Sequence, residues 1–186
     1  MNLTHDRWTQ DVYLKTYKFA AEEHTRIGQK VPGTDISYIM HLSFVSMEII
    51  AALNYHPECD GNLAIQCALL HDVIEDPGIS YDKIAEEFGQ KVADGIKALS
   101  KNEDLEKTER MIDSLNRIKK QPKEIWMVKL ADRITNLQPP PSHWSKEKIE
   151  TYLQEAKTIH KYLGEASDYL SSRLLKKIED YSAYAQ

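Results

Sequence analysis

The stretch ALLHDVIEDPG, residues 68–78, places four side chains of metal-ligand type inside an apolar helical pattern. His71 and Asp72 are adjacent, and Glu75 and Asp76 follow them at a spacing of i+4. On a helix, residues i and i+4 lie one turn apart on the same face. The pattern therefore predicts that the His-Asp and Glu-Asp pairs share one side of a helix, and the closing Pro-Gly dipeptide is expected to end that helix beside a loop.

The apolar neighbours of these four residues predict that the helix is buried. They are Ala68, Leu69, Leu70, Val73 and Ile74. Four unpaired polar or charged groups are costly to bury, and a divalent cation would remove that cost by neutralising the carboxylates and binding the imidazole. The alternative interpretation is a partly exposed acidic helix end with one core histidine. It is the usual explanation of an isolated His-Asp dipeptide, but the apolar flanks and the Glu-Asp pair weaken it here.

A second segment with buried polar residues is VKLADRITNL, residues 128–137. Asp132 lies within its apolar helical pattern, Asn136 follows at i+4, and Lys129 precedes at i−3. A lone buried aspartate more often pairs with an arginine than binds a metal ion. Arg133 is the next residue, but neighbours on a helix diverge by about 100° and do not face each other.

The third segment is SYIMHLSF, residues 37–44, in which apolar residues surround His41. Alone, this histidine would be interpreted as a core residue. Together with His71, Asp72 and Asp132 it forms a set of two nitrogen and two oxygen ligands from three predicted helices. Such a set suits Mn²⁺, Fe²⁺ or another octahedral ion with open positions better than a closed thiolate zinc site. An ion of this kind can activate water for attack on phosphorus.

The helical periodicity predicts an all-α chain that forms one domain over residues 1–186. The predicted helices lie near 7–25, 38–54, 61–76, 80–87, 90–100, 106–119, 122–137, 145–163 and 165–183. They predict a bundle of about eight to ten helices. Ser80 and Ser145 are predicted to be N-caps.

The composition favours a cytoplasmic globular protein. The net charge of the chain is −5, and it has no block of Lys and Arg, so broad nucleic-acid binding is not expected. No apolar run is long enough to span a membrane, and the first residues lack the pattern of a secretory signal. Cys59 and Cys67 are interpreted as reduced thiols.

Three segments together resemble the hydrolase domain of the RelA/SpoT family, within the HD superfamily, and in particular its small hydrolase-only branch, the small alarmone hydrolases. These segments are GQKVPGTDISYIMH (28–41), ALLHDVIEDPGIS (68–80) and ERMIDSLNRIKKQPKEIWMVKLADRITNLQPPPSHW (109–144). The resemblance extends over roughly residues 8–180 in the right order, and it implies a single helical HD domain. His-Asp alone is common, whereas HDVIED followed downstream by KLADRITN is specific.

The resemblance implies a Mn²⁺-dependent 3′-pyrophosphohydrolase that converts ppGpp to GDP and pppGpp to GTP, releasing pyrophosphate. His41, His71, Asp72 and Asp132 match the family's metal ligands, which implies one Mn²⁺ per chain. Glu75 and Asp76 match the catalytic acidic pair, which orients water and handles the proton for the leaving 3′-oxygen. Asn136 matches an asparagine that contacts the nucleotide. No synthetase domain follows, so the chain is expected to degrade the alarmone and not to make it.

Two lysines are predicted to contact the substrate, Lys30 and Lys129, because they supply positive charge that the acidic surface lacks. In the long RelA/SpoT proteins an Arg-Lys pair lies at the nucleobase, whereas this chain has Gln29 and Lys30 there. Lysine cannot stack on a base or offer the planar fork of arginine, so weaker base selectivity is expected. Lys101, after a predicted helix end, is a further candidate phosphate contact.

Two alternative functions remain open from the sequence. One is an HD phosphohydrolase for a different nucleotide, such as pppApp, NADPH or a 5′-nucleotide. The other is a non-catalytic binding or sensor module, although such a module would be expected to lose ligands or the Glu-Asp pair. A homodimer is also left open, and neither a nucleic-acid nor a membrane partner is expected.

Overall fold

The computed structural model describes residues 8–185, and within them the fold is all-α. Its helices are α1 (Gln10–Arg26), α2 (Ile39–Leu53), α3 (Gly61–Leu70), α4 (Tyr81–Phe88), α5 (Gln90–Leu99), α6 (Lys107–Ile118), α7 (Lys123–Asn136), α8 (Lys146–Leu163) and α9 (Asp168–Ser182). These nine helices of the described part confirm the predicted class and lie within the predicted number. The helix expected near 7–25 begins at Gln10 after an N-cap at Thr9, and residue 7 lies outside the described residues.

Helix α3 lies at the centre of the molecule, where it packs against α1, α2, α5 and α7. Apart from Asn62 and Gln66, all of its residues are buried. Asp60 starts the helix, because its side chain accepts a hydrogen bond from the backbone N–H of Leu63. A helix that is apolar all round is stable only when neighbours cover every side. The C-terminal end of α3, which carries His71, is therefore enclosed by other helices.

Helix α7 is the second central element, and it contacts α2, α3, α8 and α9. Gly95 allows α5 to approach it closely, since a β-carbon at that position would lie 2.6 Å from Ile125 Cδ1. Serine caps begin the helices on either side of this core, as predicted. Ser80 accepts from Lys83 N at the start of α4, and Ser145 accepts from Lys148 N at the start of α8.

One predicted helix is wrong at its end. The helix expected over 61–76 ends at Leu70, and the chain continues through consecutive turns. Among the helices of residues 8–185, none combines the length and the hydrophobicity that a transmembrane segment needs. Both cysteines have free thiols, with Cys67 buried and Cys59 partly buried.

Candidate metal centre

Three of the four predicted metal ligands, His41, His71 and Asp132, have donor atoms within 4.8 Å of one another, and Asp72 lies beside the two histidines. His41 comes from the first turn of α2, His71 follows the last residue of α3, and Asp132 comes from α7. The Nε2 atoms of His41 and His71 are 3.2 Å apart. Asp132 Oδ1 lies 3.5 Å from His41 Nε2 and 3.7 Å from His71 Nε2. Asp72 Oδ2 lies 3.1 Å from His71 Nε2 and 4.0 Å from His41 Nε2.

These spacings fit a divalent ion. Ligand atoms about 2.1 Å from an ion and 90° apart are themselves about 3 Å apart, which is close to the separation of the two imidazole nitrogens. His71 Nδ1 lies 2.9 Å from Ala68 O and donates its proton there, so the Nε2 atom of the neutral ring offers a lone pair to the centre. His41, His71 and Asp132 are all buried, so the donor set is shielded from water. The residues present therefore suit a bound metal ion.

The electrostatics of the metal-free centre show why a cation belongs there. Burial alone would lower the pKa of His71, but the carboxylates of Asp72 and Asp132 raise it to about 9. Burial also works against ionisation of Asp132, yet the nearby Lys129 ammonium and the His41 ring hold its pKa well below the usual range. Burial also works against ionisation of Asp72, but the His71 ring lowers its pKa, so both carboxylates are charged and a proton on His71 partly compensates them when no metal ion is bound. A divalent cation would replace that proton.

Two residues of α7 position Asp132 further. Lys129 Nζ donates to Asp132 Oδ2 over 3.0 Å, and Asn136 Nδ2 donates to Oδ1 over 2.5 Å. Both partners lie one turn from Asp132 on the same helix, as their spacing in the sequence predicts. On the other side of the centre, the hydroxyl of Tyr38 donates a short hydrogen bond to Asp72 Oδ2.

The end of α3 explains why the acidic pair does not occupy a helical face. Val73 N donates to Leu70 O over 3.1 Å, a tightened turn of the i+3 type, and Ile79 N then returns to Val73 O. A single bond of the helical i+4 type follows, from Asp76 N to Asp72 O over 3.0 Å, while the side chains of His71 and Asp72 bond to Ala68 O and Tyr38. The helix expected to carry both pairs is therefore absent beyond Leu70, although Asp76 remains close enough to Asp72 for the two charges to interact.

Glu75 and Asp76 are held by different parts of the chain. Glu75 Oε1 accepts from Lys101 N over 2.7 Å, and its Oε2 accepts from Lys101 Nζ over 3.1 Å. Asp76 Oδ2 accepts from Gln29 Nε2 over 2.6 Å. The pair is thus fixed between the end of α5 on one side and the loop after α1 on the other.

Gln29 is itself fixed by His24, a buried residue of α1 that is 1% exposed. Burial lowers the pKa of His24, so its ring is neutral, and its Nδ1–H donates a short hydrogen bond to Gln29 Oε1. This contact sets the orientation of the amide, so its nitrogen points to Asp76. Burial raises the pKa of Asp76 above that of an ordinary aspartate, and the bond from Gln29 opposes part of this increase.

A cavity of about 290 Å³ opens beside the metal centre. Its wall includes loop residues, aromatic rings and three consecutive prolines, and it is continuous with the centre through His41 and Asn136. The lining residues are Val31, Pro32, Met40, His41, Phe44, Thr135, Asn136, Gln138, Pro139, Pro140, Pro141, Trp144, Tyr152 and Tyr181. Its size and its mixture of apolar surface with a few polar groups are typical of a small-molecule site.

Of the predicted site residues, Lys30 is the one that the structure does not bring to the metal centre. Its ammonium donates to Asp35 Oδ1 over 2.7 Å on the exposed loop after α1. Sequence reasoning missed His24, Gln29 and Tyr38. The position of Gln29 beside Lys30 was a signal, but a glutamine and a tyrosine carry no ligand or catalytic pattern of their own.

Comparisons with known proteins agree with this architecture. A family model described as an HD domain matches residues 16–168. The chain is 28% identical over 165 residues to a Xenopus tropicalis protein named guanosine-3′,5′-bis(diphosphate) 3′-pyrophosphohydrolase MESH1, covering 87% of this chain and 89% of that protein. It is 29% identical to the Danio rerio protein of the same name over 168 residues, covering 88% and 90% of the two chains.

Other relatives differ in length or are similar in fold only. A bacterial guanosine-3′,5′-bis(diphosphate) 3′-pyrophosphohydrolase from Aquifex aeolicus is 29% identical over 127 residues, which is 66% of this chain but 17% of that protein. A solved structure described as a metazoan ortholog of SpoT that hydrolyses ppGpp superposes with a TM-score of 0.77 at 24% identity, covering 93% of this chain and 97% of that one. A Listeria monocytogenes structure gives a TM-score of 0.59 at 19% identity, covering 81% and 98%.

Proposed function

This chain belongs to the HD domain family, and we propose that it is a Mn²⁺-dependent hydrolase that removes the 3′-pyrophosphate from ppGpp and pppGpp. The observation that carries the proposal is the buried donor set of His41, His71 and Asp132, with Asp72 beside the two histidines and the acidic pair Glu75 and Asp76 in the turns that follow. Relatives named for this activity align with most of the chain, which supports the choice of substrate.

The metal ion would be held by the two imidazole Nε2 atoms and the two carboxylates, at about one ion per chain. When bound, Mn²⁺ supplies a Lewis acid that polarises a phosphate oxygen and makes water more acidic. The chain itself keeps the metal-binding side chains charged, shielded from water and correctly oriented. Ala68 O fixes the ring of His71, and Tyr38 and Lys129 fix the two carboxylates.

Asp76 is the better placed of the acidic pair to accept a proton. Its Oδ2 is engaged by Gln29, while its Oδ1 has no hydrogen-bond donor among the described residues. Its raised pKa brings it closer to the working pH of a general base. We assign to Oδ1 the proton of the attacking water, which is then passed to the leaving 3′-oxygen.

Glu75 has a different role, because both of its oxygens accept hydrogen bonds from Lys101. Burial would lower the pKa of Lys101, but Glu75 raises it, so the side chain is a persistent ammonium. Glu75 therefore orients a positive charge next to the reacting phosphate, where it can stabilise the charge that develops during attack.

The cavity beside the metal centre is the proposed site of the nucleoside. Among the described residues, the hydroxyls of Thr135 and Tyr181 are buried and without a hydrogen-bond partner, and both residues line this cavity. Buried polar groups are normally satisfied, so a base or ribose would provide missing partners. Lys30 remains a proposed substrate contact, since Val31 and Pro32, the two residues that follow it, line the cavity.

One observation favours a broader substrate range that includes pppApp. Gln29 stands where the resemblance to the long RelA/SpoT proteins implies an arginine, and its amide is already used by His24 and Asp76. It therefore provides no stacking plane or guanine-specific hydrogen bond. We expect weaker discrimination between guanosine and adenosine than in the long relatives. NADPH remains a second alternative substrate, which the product analysis below includes.

The test is product analysis with the Mn²⁺-loaded protein and ppGpp, pppGpp, pppApp and NADPH. We expect GDP and pyrophosphate from ppGpp in one step, without orthophosphate, and a rate lower by about 10²-fold or more in the matched variant Asp76→Asn. Release of orthophosphate alone, or faster turnover of AMP and GMP, would instead indicate a different phosphatase. Tight nucleotide binding without any turnover would indicate a sensor module.

A further inference from the structure

A second cavity, of about 300 Å³, lies between α5, α6, α7 and α8, and it is strongly basic. Five of the described residues that line it are cationic, namely Lys101, Lys107, Arg110, Lys129 and Arg133. Glu155 is the single acidic residue among the described residues of the lining. The chain as a whole has a net charge of −5, so this concentration of positive charge is local. A concave, partly apolar wall strengthens the field of such a cluster.

Arg133 is the buried member of this cluster, with 8% of its surface exposed. Its Nη2 donates to Glu155 Oε2 over 3.1 Å, but its Nε and Nη1 have no hydrogen-bond partner among the described residues. The guanidinium carbon lies 4.2 Å from the centre of the Tyr152 ring, a contact that attracts the charge but accepts no conventional hydrogen bond. Glu155 therefore satisfies one donor of this arginine, and the two donors without a partner point to a further acceptor at the wall of the cavity.

The second cavity meets the metal centre through two lysines. Lys101 lines the cavity and binds Glu75, and Lys129 lines it and binds Asp132. The first cavity reaches the same centre through His41 and Asn136. The centre thus has two recesses, one largely apolar with aromatic walls and one basic.

We propose that the basic cavity binds a polyphosphate chain, namely the 5′-phosphates of the nucleotide whose 3′-pyrophosphate lies at the metal centre. This inference rests on the proposed function for the identity of the nucleotide, but the anion-binding property of the cavity does not depend on it. A nucleoside tetra- or pentaphosphate has three arms: its base, its 3′ group and its 5′ chain. The apolar cavity suits the base, the metal centre suits the 3′ group, and the basic cavity suits the 5′ chain.

The first experiment measures binding without hydrolysis. The full chain with Mn²⁺ is titrated with GTP, which has no 3′-pyrophosphate, and with guanosine as the reference. We expect Lys107→Gln to weaken GTP binding about tenfold, since one charged contact is lost, and to leave guanosine binding unchanged. The matched control is Lys91→Gln, which removes an exposed lysine of α5 outside the cavity lining.

A second variant is expected to bind GTP more tightly, and such a gain cannot be caused by a folding defect. Glu155→Gln removes the acidic residue of the lining and releases Arg133 Nη2, so GTP should bind several times more tightly. Equal effects of Lys107→Gln and Lys91→Gln, or no gain from Glu155→Gln, would overturn the proposal. Either result would show that the 5′-phosphates bind elsewhere, such as at the metal itself.

The second experiment separates the substrate's own 5′ chain from a free anion. If ppGpp is hydrolysed, Lys107→Gln should reduce kcat/KM about tenfold for ppGpp but not for guanosine 3′-diphosphate, which lacks the 5′ chain. Inorganic tripolyphosphate should compete with ppGpp in the unsubstituted chain. Tripolyphosphate binding that leaves the KM for ppGpp unchanged would refute the 5′ assignment. If ppGpp is not hydrolysed at all, the GTP titrations still decide whether the anion site exists.

Discussion

Gln29 Nε2 and Asp76 Oδ2 form a hydrogen bond of 2.6 Å between residues 47 positions apart in the chain. The bond connects the loop after α1 to the turns after α3, and His24 fixes its direction from the other side. Asp76 therefore depends on a buried histidine with which it has no direct hydrogen bond. This arrangement makes Gln29 a positioning residue for the proposed general base.

Replacement of Gln29 should lower the catalytic rate without weakening substrate binding. We expect Gln29→Leu to lower kcat about tenfold, because Asp76 loses the donor that holds its carboxylate, with little change in KM. The pKa of Asp76 is already raised by burial, and loss of the Gln29 bond should raise it further. Because a general base must be deprotonated, the acid limb of the kcat profile should move to higher pH. Gln154→Leu, on the surface of α8, is the control, and a change in KM alone would contradict the positioning role.

The acidic pair and the metal ligands should respond differently to loss of charge. Glu75→Gln and Asp76→Asn are each expected to keep the fold and the metal ion but to lose about 10²-fold or more in rate. Asp72→Asn should lose metal affinity as well, since its carboxylate is a direct ligand in the proposed centre. Metal content measured after dialysis, together with kcat, distinguishes the two groups. Near-native turnover by Asp76→Asn would show that the proton is accepted elsewhere.

Metal binding should stabilise the fold measurably. At an Mn²⁺ concentration of about 100 times Kd, binding to the folded state contributes about 2.7 kcal/mol, which for a chain of this size corresponds to an increase in Tm of about 5–10 °C. His41→Gln should abolish most of this increase in a thermal scan, whereas His143→Gln, an exposed histidine outside the centre, should retain it. The same increase in both variants would place the stabilising ion at another site.

The metal-free protein should lose stability between about pH 6.5 and pH 9. The ordinary pKa of histidine is 6.5, and that of His71 is raised to about 9 by the adjacent carboxylates, against the effect of burial. A group with a raised pKa in the folded state contributes its full stabilisation below its unfolded pKa and loses it as pH rises through its folded pKa. Urea unfolding of the metal-free chain across this range should show the decrease. With saturating Mn²⁺ the decrease should be smaller, because the ion has replaced the proton. A flat profile without metal would show that His71 is not protonated there.

The grouping of His41, His71 and Asp132 could be predicted from the sequence, because the chemistry of these residues is carried by residue type and by local spacing. Apolar residues around His41, His71 and Asp132 indicated burial, and buried polar groups need partners. The positions of Lys129 and Asn136 relative to Asp132 followed from helical geometry alone, and both contact it in the structure. Serine caps at Ser80 and Ser145 were predictable for the same reason, since each acts within its own turn.

What could not be predicted depends on contacts between distant segments. The spacing of residues 71–76 fits a helix, yet the helix ends at Leu70, and the side chains of His71 and Asp72 bond to Ala68 O and Tyr38. The partners of Glu75 and Asp76, Lys101 and Gln29, are 26 and 47 residues away. Nothing in the local sequence pattern identifies such partners. The ion pair between Lys30 and Asp35 at the surface could not be predicted from the sequence either.

The three prolines that form one wall of the apolar cavity, Pro139, Pro140 and Pro141, affect the entropy of ligand binding. Each proline ring fixes φ near −65°, whereas an ordinary loop residue loses about 1–2 kcal/mol of conformational entropy when its backbone becomes ordered. Trp144 N also donates to Pro141 O over 3.0 Å, and the Trp144 ring packs edge-on against Tyr152. The wall is therefore ordered during folding and not during ligand entry. A nucleotide that binds there should encounter a preformed surface, and its affinity should be reduced little by the ordering of this loop.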